Sequence, residues 1–312
     1  SLIIKKFLFE IVKLSSKDLF INKYYYLYRQ DGRGIFMEVI IQMMSYPFIT
    51  RAFIVGILVS LCAALLGVSL VLKQYSMIGD GLSHVSYGAL SIAVAFGIVP
   101  LKLSIPVVIA AAVILLRMNE NGVMKSDAAI AAMSASALAI GVTVTSFTTG
   151  MTTDVCSYMF GSILAMSQED VVLSVILSAA VLILFVFCYH NIFAVTFDES
   201  FSRATGVKVS FYNTMISVLT AVTIVLGMQM MGAMLISSLV IFPALSSMQL
   251  FKSFKSVMVS SGILATVCFC AGIMVSYIYS VPAGASVVLV NLFVFMAFMI
   301  VKKLLLLQNR DI

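Results

Sequence analysis

Asp80 and His84 stand four residues apart in an otherwise apolar run, Met77-Ile78-Gly79-Asp80-Gly81-Leu82-Ser83-His84-Val85-Ser86-Tyr87-Gly88. On a helix that spacing puts both side chains on one face. A carboxylate is a hard oxygen donor and an imidazole a borderline nitrogen donor, so the pair can hold one divalent cation; it can equally bind a coupling ion or relay a proton. Two ligands leave a site incomplete. Two copies of the chain facing each other would supply two Asp and two His, the four donors of a tetrahedral ion. The plainer alternative is that Asp80 and His84 only neutralise each other where an isolated carboxylate costs roughly 2.5–3.5 kcal/mol. His190, the other histidine, has no carboxylate within helical reach and reads as an interfacial residue.

The surroundings of the pair are those of a membrane. The 312 residues are 62% hydrophobic and 10% charged, with mean hydropathy +1.13, a composition that a soluble domain could not carry without exposing large apolar patches. Apolar segments recur at 52–72, 77–98, 103–118, 128–148, 170–190, 210–228, 232–250, 256–280 and 284–301, each near the length that crosses roughly 30 Å of hydrocarbon. The expected fold is therefore an all-α polytopic membrane protein of about nine transmembrane helices. Residues 155–166 are apolar but too short to cross, and are expected to form one short re-entrant helix.

Charge orients these spans. Alternating sides places Lys73, Arg117, Lys125, Arg203, Lys208, Lys252, Lys255, Lys302, Lys303 and Arg310 together, and the positive-inside bias makes that side, with the C-terminus, cytoplasmic. Asp154, Glu169 and Asp170 fall opposite. The net charge of +6 thus orients helices and does not call for nucleic acid. Residues 1–36 break the pattern, since Lys5, Lys6, Lys13, Lys17, Lys23, Arg29 and Arg33 would lie on the wrong side. They are expected to be an N-terminal extension outside the native fold, which would begin at Met37 and form a single transmembrane domain over 37–312; a basic segment lying on the membrane surface is the alternative.

Cys62, Cys156, Cys188, Cys268 and Cys270 lie scattered without a Cys-x-x-Cys pair and read as small buried hydrophobes. Small residues at Gly56/Ser60/Ala64 and Ala131/Ala135/Ala139 are expected to let helices pack closely, and Pro243 to kink its span. The segment Thr196-Phe197-Asp198-Glu199-Ser200-Phe201-Ser202-Arg203-Ala204-Thr205-Gly206-Val207 alternates charge with aromatics and ends in a glycine placed as a helix stop. It reads either as a short interfacial helix or as a docking element. No Gly-x-x-x-x-Gly-Lys-[Ser/Thr] loop, Gly-x-Ser-x-Gly elbow or His-Glu-x-x-His pair occurs, which argues against an enzyme and leaves any ATP chemistry to another chain.

These residues resemble the membrane permease subunits of bacterial ABC importers for zinc and manganese, over about 37–305. The resemblance is carried by Arg51, the block Leu70 to His84 with its Gly79-Asp80-Gly81-Leu82-Ser83-His84 core, Tyr158-Met159-Phe160-Gly161-Ser162-Ile163-Leu164, the loop Phe197-Asp198-Glu199 to Gly206, the span Gly232 to Pro243, and Pro282-Ala283-Gly284-Ala285-Ser286. It implies a fold similar to the vitamin B12 and siderophore (type II) importer permeases, in the bacterial plasma membrane. It also implies a second copy of the chain, a cytoplasmic ABC ATPase dimer and an extracellular metal-binding protein as partners. Asp80 and His84 would contact the transported metal, with no permanently bound cofactor. Phe197, Asp198, Glu199, Phe201, Arg203, Ala204 and Gly206 would form the loop that couples to the ATPase. The continuation His84-Val85-Ser86-Tyr87-Gly88 lacks the proline typical of the manganese branch and looks like the zinc branch. A cation-coupled secondary metal transporter is the rival reading.

Overall fold

Each of the nine apolar segments is a helix. The structure, a computed structural model, describes residues 45, 47–120, 122, 126–148 and 168–308. The helices are α1 (Pro47–Leu72), α2 (Ile78–Ala95), α3 (Pro100–Glu120), α4 (Ser126–Thr148), α5 (Gln168–Phe187), α6 (Tyr189–Phe197), α7 (Glu199–Ala204), α8 (Val209–Met231), α9 (Ala233–Leu250), α10 (Phe254–Tyr279) and α11 (Ala283–Gln308). No strand occurs among the described residues. The proposed start at Met37, the basic stretch before it and the short apolar piece 155–166 lie outside the described residues.

Eight of these helices are long and apolar enough to cross a membrane. The ninth expected span, α2, has 18 residues but falls outside that set, because Asp80, His84 and interspersed Gly and Ser dilute its apolar content. Its 1.5 Å rise per residue still gives about 27 Å. A helix this polar needs shielding, and α2 is packed against α3, α4, α8 and α9, burying Ser83, Ser86 and Tyr87 along with Leu82 and Val85.

Chain contacts divide after Thr50, and the packing described here lies within residues 51–312. There α1 is deeply enclosed: Val55, Val59, Ala63, Ala64 and Val68 have no exposed surface. Cys62 Sγ donates to the Ser178 carbonyl of α5 at 3.5 Å, and Ser261 Oγ of α10 donates to the Ala64 carbonyl at 3.4 Å. Small residues allow this density. A Cβ added at Gly67 would fall 2.0 Å from the Val240 carbonyl oxygen of α9, so only glycine permits that crossing. Of the two small-residue stripes, Gly56/Ser60/Ala64 is internal, but Ala131, Ala135 and Ala139 are exposed on α4. Instead α4 meets α2 through Ile130, Ala137 and Gly141. Helices α4, α5 and α11 bury little of their apolar length within the chain, as elements at a lipid or subunit boundary must. The helix α9 runs through Pro243. Between α8 and α9 the chain reverses at a single residue, Gly232, at φ 85° and ψ 163°, a conformation open essentially to glycine alone.

Candidate metal site and the clasp beside it

The site starts where α1 stops. The Lys73 N–H donates to Ser69, the Gln74 N–H to the Val71 carbonyl and the Tyr75 N–H to the Leu70 carbonyl at 2.8 Å, while Gln74 takes φ 62°. The last two bonds, closing around a left-handed residue, make a Schellman stop with glutamine where glycine is usual. The Ile78 N–H then donates to Tyr75 and the Gly81 N–H to Met77, so the turn passes into α2 without slack. Asp80 lies in the first turn of α2.

There Asp80 and His84 share one helix face, with Oδ2 and Nε2 3.7 Å apart. That is longer than a hydrogen bond, and leaves space for both atoms to address a third atom. The Asp80 side chain is 50% exposed and that of His84 20%, so the carboxylate reaches the surface of the chain while the imidazole is largely covered. Ser83 Oγ donates to the Asp80 backbone carbonyl at 2.7 Å, tightening the first turn. Among the described residues no cluster of three or more His, Cys, Asp or Glu side chains is placed to hold a metal, so there the pair would bring two ligands to an ion. The face is set by α4: a Cβ at Gly88 would lie 2.8 Å from the Ala137 carbonyl oxygen, a contact that only a glycine allows.

The 196–207 segment carries the end of α6 and the short helix α7, which has both ends closed. Asp198 is the N-cap of α7, its carboxylate accepting from the Phe201 N–H at 2.8 Å, and Glu199 and Arg203 sit at the ends favoured by the helix dipole. Gly206, at φ 86°, stops the helix as expected: its N–H donates to Arg203 and the Val207 N–H to Ser202. Asp198 and Gly206 therefore shape the helix, while Phe197 and Phe201 present rings 60% and 65% exposed and Arg203 and Ala204 are exposed beside them. Phe197 also stacks with Phe193 and Phe254 at 4.9 and 5.8 Å, fixing the ring in place. His190 is exposed and lies edge-on to Tyr189.

Sequence reasoning missed what joins the two sites. Lys73 Nζ donates to Glu199 Oε1 at 2.7 Å and to Asn213 Oδ1 at 2.5 Å. The Asn213 amide in turn donates to Glu199 at 3.1 Å and to Glu120 at 3.3 Å. Arg117 closes the cluster with Glu120 and Ser210, both at 2.9 Å, and Asn119 donates to the Tyr75 hydroxyl. Partial burial pushes the Glu199 carboxyl up, but the hydrogen bond and charge of Lys73, with Asn213 and Arg203, outweigh it and hold it below its ordinary 4.5. A usable signal was present: Asn213 is a lone amide at the start of an apolar span.

A polar helix sheltered inside a bundle of membrane-length helices, with an ionisable pair at its start, is an arrangement suited to a membrane transport subunit. The chain belongs to the ABC 3 transport family, whose model it matches over residues 45–302. It is 28% identical over 259 residues to the manganese import system permease protein ScaB of Streptococcus gordonii, covering 83% of this chain and 93% of that protein. It is also 28% identical over 249 residues to the high-affinity zinc uptake system membrane protein ZnuB of Buchnera aphidicola, covering 80% and 95%. Among solved structures it is similar to PsaBC from Streptococcus pneumoniae in complex with Fab, with TM-score 0.75, 28% identity and coverage of 84% of this chain and 95% of that one. The all-helical permease architecture expected from the sequence is thus found, and the chain is a multi-pass permease whose ATPase is a separate polypeptide.

Proposed function

We propose that this chain is the membrane permease of an ATP-driven importer of divalent metal ions, with zinc as the cargo. The observation that carries the metal reading is the Asp80–His84 pair, 3.7 Å apart on one face of a helix otherwise packed into the bundle. Relatives whose names record manganese import and zinc uptake support a divalent cargo. Carboxylate plus imidazole accepts either ion; the choice of zinc rests on the proline-free run after His84. Two chains would join so that their Asp80 and His84 residues complete one four-donor site, loaded from the outer mouth by an extracellular metal-binding protein. The end of the bundle bearing Lys73, Arg117, Lys208 and Lys302 faces the cytoplasm, where α7 offers Phe197, Phe201 and Arg203 to an ATPase dimer.

Transient binding suits transport. A site split between two chains tightens or loosens when they move, whereas four ligands on one rigid helix pair would hold the ion. The test is zinc and manganese uptake by cells carrying Asp80→Ala or His84→Ala permease at normal membrane levels. Uptake at the wild-type rate in both variants would remove the site; uptake that persists without the ATPase and collapses with the proton gradient would replace the importer by a secondary transporter.

A further inference from the structure

We infer that Lys73, Glu199 and Asn213 form a clasp that transmits movement of the ATPase-docked helix α7 to the Asp80/His84 helix, making them positioning residues for transport. This rests on the reading of α7 as the ATPase-docking element and adds the path by which docking reaches the metal. The residues come from three separate stretches of chain. Glu199 is the first residue of α7, Asn213 sits in the second turn of α8, and Lys73 caps α1. The Lys73 side chain is only 9% exposed, against 46% for Glu199, so its ammonium depends on these two partners for the hydrogen bonds that water would otherwise supply.

What makes the cluster directional is the stretch that follows Lys73. The Schellman bonds fix residues 73–75 to the last turn of α1, the Tyr75 hydroxyl is held by Asn119 of α3, and α2 begins at Ile78 with Asp80 in its first turn. No loose segment separates the ammonium from the carboxylate that would hold the ion. A shift of α7 therefore pulls on Lys73 through Glu199, and the turn passes that displacement to the start of α2. Glu120 and Arg117, bonded to Asn213 and Ser210, tie the end of α3 into the same unit. A contiguous run of charge-assisted bonds between rigid elements is a physical route for coupling, in contrast with mere proximity.

The experiment uses the permease purified with its ATPase and reconstituted in liposomes, with the metal-loaded binding protein added, reading zinc uptake and ATP hydrolysis together. Lys73→Met should keep the ATPase bound and hydrolysing, Lys73→Met and Glu199→Gln should each lower zinc moved per ATP by about five- to tenfold, and the double variant should be no worse than either, as for two residues acting through one contact. Lys73→Arg, which keeps the charge, should recover most of the ratio. An unchanged ratio in both single variants, losses that multiply in the double, or release of the ATPase by Lys73→Met would overturn the clasp. Should Lys73→Met fail to assemble, Glu199→Gln with the exposed Glu199 side chain carries the decision alone. Phe201→Ala separates the two ideas: ATPase retained by that variant refutes the docking reading, whereas failure of the clasp leaves the loss of ATPase in Phe201→Ala intact.

Discussion

Lys73 and Glu199, 126 residues apart in sequence, meet at 2.7 Å with the ammonium largely enclosed and the carboxylate half open to solvent. The asymmetry dictates how the pair fails. Glu199→Gln removes the countercharge and leaves the enclosed ammonium only neutral amide oxygens to donate to, and the detergent-solubilised permease should lose on the order of 1–3 kcal/mol, below the cost of breaking a fully buried pair because one partner is exposed. Thermal unfolding midpoints measure it.

The same pair sets a pH dependence. Glu199 titrates below 4.5 in the folded chain, so its contribution to stability is fully present above the unfolded value and is lost as pH falls through the lower folded one. Unfolding midpoints of the wild-type protein and of Glu199→Gln should differ by a constant amount from pH 7 down to about 5 and converge in stronger acid. A gap that instead closes between pH 7 and 5 would show that Lys73 is not holding the carboxylate ionised.

Asp80 and His84 would bring two donors per chain, and no group of three or more His, Cys, Asp or Glu side chains occurs among the described residues. Zinc titrated into purified permease should saturate at one ion for each pair of chains, and Asp80→Asn, which keeps the shape but not the charge, should weaken binding at least about tenfold, or ~1.4 kcal/mol. Calorimetry gives both numbers. One ion per chain at saturation would mean that residues of a single copy complete the site.

The span pattern was legible because apolar length is a local property: all nine segments became helices, most within three residues of their expected ends, with the first starting five residues early and the last running seven residues further. Gly206 was legible as a stop for the same reason, and its two Schellman bonds follow from residues next to it. The polar character of α2 could be seen as a cost but not as a fold position, since its shelter by α3, α4, α8 and α9 is tertiary. The exposed Ala131/Ala135/Ala139 stripe shows the limit from the other side: helical spacing identifies a face, not what covers it. Lys73 was visible only as an orienting charge at a span end. Its partners lie 126 and 140 residues away, and no local pattern announces a bond of that range.

Phe201 should act on docking and not on folding. Its ring is 65% exposed, while its backbone N–H, which caps α7 on Asp198, survives substitution. Phe201→Ala should therefore leave the unfolding midpoint unchanged and weaken ATPase association by more than about tenfold, in keeping with an aromatic anchor worth ~2 kcal/mol. Co-purification and a direct binding titration would read it; an equally stable variant with undiminished ATPase affinity would move the docking surface elsewhere.

Gly67 and Gly88 mark where two helix crossings are too close for a side chain unless a helix moves, and they should not be equal. At Gly88 an added Cβ would press on the Ala137 carbonyl oxygen of α4 at 2.8 Å; at Gly67 it would overlap the Val240 carbonyl of α9 at 2.0 Å. Because α4 is largely exposed on its far side, it can retreat by a few tenths of an ångström, and Gly88→Ala should cost about 1–3 kcal/mol with the fold retained. The helix α1 is enclosed by α5, α9 and α10 and has nowhere to go, so Gly67→Ala should prevent stable assembly. The Gly88 substitution carries a second consequence, since α4 fixes the helix that bears Asp80 and His84. Gly88→Ala should lower metal uptake more than its loss of folded protein accounts for, measured as uptake normalised to permease in the membrane; equal losses in both would mean that the α2–α4 crossing supports the fold without aligning the site.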